Sequence, residues 1–123
     1  MLLRAGSYRW VGVYDVGPTE ISVIAWMGPA PPVHPRFPVT DGLNGRAVAQ
    51  ERTVVVGDVT SDPHYLATLN STRAEMVVPI LSSAGSVVGT IDVESEIANR
   101  FMDTDRSLVE ECATAIAPLF ERR

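Results

Sequence analysis

The stretch Arg73–Ser95, RAEMVVPILSSAGSVVGTIDVES, constrains this chain more than any other. Two apolar arms flank the small polar turn Ser83-Ala84-Gly85-Ser86, the pattern of an antiparallel hairpin. In the first arm Met76, Val78 and Ile80 alternate with Glu75, Val77, Pro79 and Leu81. In the second, Val87, Gly89, Ile91 and Val93 alternate with Val88, Thr90, Asp92 and Glu94. A two-residue loop at Ala84-Gly85 sets position i opposite 169 − i, and a slip of one residue would spoil both faces. In that register one face is wholly apolar. The other collects Val77, Pro79, Leu81, Val88 and Thr90 with three acids, Glu75 opposite Glu94 and Asp92 beside them. Facing side chains in such a pair lie only about 4.5–5.5 Å apart at Cβ, where like charges repel. A carboxylate cluster beside an apolar wall is the most site-like feature of the chain; the plainer reading is a solvated strand end.

A chain of 123 residues makes one domain with a real core. No apolar run is long enough to span a bilayer, and the opening MLLRAGSYRW lacks the h-region of a secretory signal. With Cys112 alone an internal disulfide is impossible, which fits a reducing, cytoplasmic setting. A net charge of −5 and a pI near 4.9 argue against nucleic acid or an anionic membrane surface as partner.

Tyr8–Asp15 reads as a strand with Tyr8, Trp10, Gly12 and Tyr14 on one face and Val11 and Val13 on the other. After the Gly17-Pro18 turn a second strand follows at Glu20–Met27. Five prolines between Gly28 and Pro38 forbid a helix and allow only an extended edge segment near Arg36–Val39. Thr40 and Asp41 are N-cap residue types before a helix from about Leu43 to Glu51. Thr53–Asp58 is a short buried strand, and Val59–Ala74 a polar connection with one helical turn expected around His64–Leu69. The last helix runs from Asp103 to Phe120, its stripe made of Leu108, Val109, Cys112, Ile116, Leu119 and Phe120, with Pro118 weakening the final turn. The class is α+β: a largely antiparallel sheet, the terminal helix on one face, and the 28–72 segments covering a pocket on the other.

Glu75, Asp92 and Glu94 together suit an ammonium group, or one of them holds a proton through like-charge repulsion. Trp10 and Tyr14 fit either an aromatic wall for a cation or plain core. The Gly42–Gly45 helix start offers N–H donors to an anion unless Thr40 or Asp41 already takes them. His34 and His64 lack companions with metal-site spacing, Cys112 reads as a buried thiol, and no nucleophile, P-loop or dinucleotide motif is present, so neither metal, cofactor nor catalytic residue is expected.

These pieces in this order resemble a GAF domain, and within it the free methionine-(R)-sulfoxide reductase type. The likeness rests on WVGVY at 10–14, DGLNGRAVAQ at 41–50, GDVTSDPHY at 57–65, TRAEMVVPI at 72–80, VVGTIDVES at 87–95 and Phe101…Asp105. It implies a ligand pocket lined by Trp10, Tyr14, Glu75, Asp92 and Glu94, although Asp92-Val93-Glu94 departs from an Asp-Ile-Asp pattern. It also matches the family's cysteines to His34, Asn44 and Thr68, where no thiol remains to form a sulfenic acid and a disulfide. Asn44 and Thr68 are therefore counted with the binding residues. The resemblance implies a single GAF-like domain over 1–123, without the helix that usually precedes the first strand, and hence a homodimer through the C-terminal helix. The expected function is a small-molecule sensor module without catalysis, its ligand a small zwitterion or amine. Alternatives are a reductase with altered thiol usage and a structural dimerisation module.

Overall fold

The computed structural model describes residues 8–121. Its six-stranded antiparallel sheet contains β1 (Trp10–Val16), β2 (Glu20–Met27), β3 (Arg36–Pro38), β4 (Val54–Val56), β5 (Ala74–Leu81) and β6 (Val87–Ser95), in the spatial order β3-β2-β1-β6-β5-β4. Helix α1 (Gly42–Gln50) and a 3₁₀ turn at Val59–Ser61 belong to the segments between β3 and β5; α2 (Asp103–Phe120) closes the chain. This is the α+β arrangement expected, with β2 and α2 at the expected bounds.

The alternation of the hairpin arms separates two cores. Met76, Val78, Ile80, Ile91 and Val93 bury one face beneath Val109 and Ala113 of α2, with Val11, Val13, Phe101, Cys112 and Ile116 packed around them. On the other face, Trp10, Tyr14, Ile21, Phe37 and Leu69 form a second cluster, and Leu43, Ala47, Val54, Val59 and Val77 a third. The 28–72 segments do cover the face opposite α2. No helix among the described residues is long and apolar enough to cross a membrane.

Several local expectations are corrected. The register holds from Glu75↔Glu94 to Ile80↔Gly89, then shifts at Leu81↔Val87. The connection is wider than two residues: Ser82 N–H bonds Ser86 C=O and Gly85 N–H bonds Ser82 C=O. The irregularity carries Val88, rather than Val87, against the α2 side. Tyr8 does not share the face of Trp10 and Tyr14. It precedes the strand on the α2 side, its hydroxyl donating to Asp105 at 2.8 Å and its ring 5.5 Å from Phe101. The helical turn falls at Val59–Ser61, not at His64–Leu69, because Asp58 accepts from Thr60 N–H and sets the turn there. In α2, Leu119 is 60% exposed, and Ala113 and Ala117 complete the buried stripe in its place. The helix continues through Pro118, with Glu121 N–H reaching the Pro118 carbonyl.

Ile91 is buried in the central strand, so Ile91→Ala is expected to lower stability by about 2–5 kcal/mol in urea unfolding. Val55→Thr, on the exposed side of β4, should stay within about 0.5 kcal/mol of the parent.

Candidate functional site

The site is built from three adjacent strands that present residues in rows. Across β1, β6 and β5, Trp10 lies beside Glu94 and Glu94 beside Glu75. One row on, Gly12 lies beside Asp92 and Asp92 beside Val77; the next row is Tyr14, Thr90 and Pro79. Strand periodicity therefore gathers the acids and the aromatic residues on one face.

The gap at Gly12 admits the Trp10 indole: a Cβ there would stand 2.2 Å from Trp10 Cη2, so no other residue leaves room for the ring. Trp10 Nε1–H donates to the Ala30 carbonyl at 3.1 Å, which anchors the indole to the proline-rich segment. Tyr14 packs between Trp10 and Phe37, with ring centroids 6.3 and 5.7 Å away.

Covering segments supply the polar groups. From α1, Asn44 Nδ2 donates to Asp92 Oδ2 at 3.2 Å, while Asn44 Oδ1 accepts from Thr90 Oγ1 at 2.6 Å. From the connection before β5, Thr68 Oγ1 donates to Asp92 Oδ2 at 3.5 Å and Thr72 Oγ1 to Glu94 Oε1 at 2.6 Å. Asp41 stands at the α1 N-cap without capping through its side chain, and Thr40 donates to Asp41, so of the two readings of the helix start the side-chain cap is not the one seen.

Glu75, Asp92 and Glu94 are 1%, 0% and 0% exposed, and one oxygen of each lies within 4.8 Å of the others. The solvated strand end is thus excluded. One buried oxygen of each acid, Glu75 Oε1, Asp92 Oδ1 and Glu94 Oε2, finds no donor outside the cluster, within which the carboxyls bond one another. Among the described residues, no basic side chain forms an ion pair with them. The ion pairs among the described residues, Arg9–Glu96, Arg46–Asp62, Arg73–Asp58, Arg100–Asp105 and Arg106–Glu110, all lie elsewhere.

Burial, and then the neighbouring acids, push Glu75 and Glu94 well above the usual carboxylate range. Asp92 is raised as well by burial, against hydrogen bonds from Glu75, Glu94, Asn44 and Thr68 that favour its ionised form. Burial and mutual repulsion thus favour the protonated forms of Glu75 and Glu94, while the hydrogen bonds at Asp92 favour its ionised form. Burial and the same acids push Tyr14 and Tyr65 upward, so both phenols stay neutral.

All seven residues expected at the site, Trp10, Tyr14, Asn44, Thr68, Glu75, Asp92 and Glu94, come together here. Asn44, Thr68 and His34 meet at one small cavity of about 10 Å³, also lined by Phe37, Gly42, Leu43, Leu66 and Ala67. That is room for about one water, so the cluster is sealed in this conformation. A wider open cleft of about 650 Å³ lies on the outer side of Gly42 and Leu66, lined by Val39, Arg46, His64 and Tyr65 among others. It does not reach the acids. Sequence reasoning put Thr90 on the acid-bearing face without a role and missed Thr72 and Tyr65: a hydroxyl in a polar loop carries no sign of its partner, here Glu94 for Thr72 and the Leu69 carbonyl for Tyr65.

A model of the GAF domain matches residues 2–118. The chain is 30% identical over 105 residues to GAF domain-containing protein A of Dictyostelium discoideum, covering 85% of this chain and 65% of that protein. Free methionine-R-sulfoxide reductase of Saccharomyces cerevisiae is 33% identical over 75 residues, 61% of this chain and 42% of that protein. The chain therefore spans less than two thirds of the length of either relative. Among solved structures, the type II free methionine-R-sulfoxide reductase from Thermoplasma acidophilum superposes with a TM-score of 0.92 at 32% identity, covering 98% of this chain and 85% of that one.

Protonated carboxyls held above their ordinary values favour folding below those values, and the contribution is lost as pH rises through the raised ones. The urea midpoint should therefore fall as pH rises from about 5 toward neutrality. Glu75→Gln, which keeps the shape and cannot ionise, should flatten that slope.

Proposed function

This chain belongs to the GAF domain family, and from that premise we propose that it is a small-molecule-binding module without reductase chemistry. Its ligand is a small zwitterion or amine, with the ammonium end at Glu75, Asp92 and Glu94 and the apolar part against Trp10 and Tyr14. The observation that carries this reading is the buried cluster of three carboxyls, each with an oxygen that finds no donor outside the cluster, and the lack of any ion pair to them among the described residues. A buried acid is costly unless something pairs with it, and a ligand's positive charge is a partner that the described residues do not supply. Relatives named as reductases of free methionine-R-sulfoxide, which is a zwitterion, support the ligand class.

The chemistry of those relatives does not carry over. Reduction of a sulfoxide by thiols needs a thiolate to attack and a second thiol to release it as a disulfide. Here His34, Asn44 and Thr68 surround the cavity beside the acids, and the single cysteine, Cys112, lies in α2 on the opposite side of the sheet. Ligand admission requires the connection bearing Thr68 and Thr72 to move outward, since the chamber is closed in this conformation.

A homodimer through the C-terminal helix has one observation in its favour: an apolar groove of about 340 Å³ where Ile116, Leu119 and Phe120 of α2 meet Val13, Ile24 and Ala25. Sedimentation at tens of micromolar tests that part separately, and a monomer there removes it.

Thermal unfolding in the presence of L-methionine, its (R)-sulfoxide, simple amines, nucleotides and tetrapyrroles tests the ligand class. Ligand at 100 times its Kd adds about 2.7 kcal/mol, enough to raise Tm by several degrees. A rise with zwitterions or amines and none with the other classes is expected; no response to any amine or zwitterion at millimolar concentration would sink the reading. In parallel, methionine-(R)-sulfoxide with a thiol reductant should show no turnover above background. Turnover that vanishes in Cys112→Ser would replace the binding module with a reductase of altered thiol usage.

A further inference from the structure

Leu66 is a wall common to two cavities. On its inner side lies the small cavity beside Asn44 and Thr68, also bounded by His34 and Phe37. On its outer side lies the cleft of about 650 Å³ along α1, flanked by Arg46, Val48 and His64. Gly42 also borders both, and there the two chain segments touch: a Cβ on Gly42 would stand 3.0 Å from Leu66 Cβ. Gly42 holds φ at +70°, so the backbone itself disfavours a side chain at this contact. The grooves beside α2, lined by Pro79 and Ala113 or by Ile116 and Phe120, share no residue with the inner cavity.

The segment that carries Leu66 is fastened at its two ends. At one end Asp62 receives both terminal guanidinium nitrogens of Arg46, Nη1 at 3.0 Å and Nη2 at 2.9 Å, which ties it to α1. At the other end the Thr68 carbonyl accepts from Val33 N–H at 2.9 Å, and the Thr68 hydroxyl donates to Asp92. Between them His64 N–H turns back to the Asp62 carboxylate and Tyr65 N–H to the Asp62 carbonyl, while Pro63 has no N–H to give. A short segment held by local bonds opens more readily than the strands beneath it. We infer that residues 63–67 form a leaf that swings off Gly42 at Leu66, that the outer cleft is the entrance to the buried site, and that the Arg46–Asp62 pair is the clasp that sets how often it opens. The inference rests on the ligand reading for what enters, and adds the route and its controlling residues.

Two features suit these residues to that role. The Arg46–Asp62 pair is bidentate and sheltered, its side chains 26% and 13% exposed, so its geometry is fixed and water competes with it only in part. Arg73–Asp58, beyond the far end of the connection, is more exposed and holds the start of β5 rather than the leaf. Leu66 itself belongs to the partly buried rim of the Trp10 and Tyr14 cluster, beside Val39 and Val48, and not to its buried centre. Its departure uncovers one side chain and leaves the pairing of β1, β6 and β5 untouched. Such an opening is local and does not require unfolding.

Alkylation of a buried reporter thiol by iodoacetamide, in the ligand-free full chain, reads the opening directly. Thr68→Cys in a Cys112→Ser background puts the thiol on the inner cavity, and Leu43→Cys takes its place if that variant fails to fold. With closing faster than alkylation, the rate follows the open population. Arg46→Gln and Leu66→Ala should each speed labelling at least about fivefold, through loss of a charge-assisted pair and of a packed side chain. Arg73→Gln should leave it within about twofold. Native Cys112, on the α2 side of the sheet, should react at an unchanged rate when Arg46→Gln or Leu66→Ala is made in the parent chain, which separates leaf opening from unfolding. No acceleration by either variant, equal acceleration by Arg73→Gln, or parallel acceleration at Cys112 would each overturn the inference. These outcomes are read without ligand and leave the ligand reading in place; failure of that reading in thermal unfolding leaves the measured opening as it is.

Discussion

Strand β6 pairs along its length with both β1 and β5, and the rest of the molecule depends on that double pairing. One set of its alternating side chains, Ile91 and Val93, enters the core under α2. The other set, Thr90, Asp92 and Glu94, is buried beneath α1 and the covering loops. Because the period is two, the same register that buries the valines also buries the acids. A slip that exposed Asp92 and Glu94 would take the hydrophobic face with it. The cost of the carboxyl cluster is thereby tied to the main source of apolar burial, and the fold can keep an unfavourable feature without losing its register.

That feature is unfavourable in a specific way. Three carboxyls in a space this small cannot all be charged, and hydrogen bonds from Asn44, Thr68 and Thr72 compensate Asp92 and Glu94 only in part. Glu75 lies deepest in the conflict, raised by burial and by both neighbours. Core packing alone gives no reason for such an arrangement, since apolar residues of similar volume would serve it better. Local inconsistency of this kind is expected where function rather than folding selects the residues. Trp10, seated over Gly12 and tied to Ala30, supplies a rigid apolar surface beside it.

Much of this was legible in the residues themselves. The hairpin register follows from alternation alone from Glu75 to Ile80, and the bounds of β2 and α2 follow from the Gly17-Pro18 turn and the acidic start at Asp103 and Asp105. What escaped has physical causes. Tyr8 continues the alternation on paper, but the strand begins only at Trp10 and the chain before it leads to Asp105. The irregularity beside Leu81 arises in a turn whose Ser82 and Ser86 bond across a wider loop than Ala84-Gly85 suggests. Thr72 and Thr90 find their partners 22 and 46 residues away, distances over which a hydroxyl leaves no periodic trace. The complete burial of the acids is a matter of how loops pack over them, which strand alternation does not encode.

The outer strands β3 and β4 have a consequence for the molecule among its neighbours. Each is three residues long, so each outer strand itself offers only a short row of unpaired amides and carbonyls to another chain. On β3, Pro38 removes one of the donors, and Pro35 precedes the strand. Short, proline-interrupted margins discourage edge-to-edge growth into aggregates. The β4 margin has no such interruption, and its Val54-Val55-Val56 run, with Val55 turned outward, makes it the more adhesive of the two. Resistance to self-association through the sheet is therefore lopsided, secured at one margin by proline and at the other only by brevity.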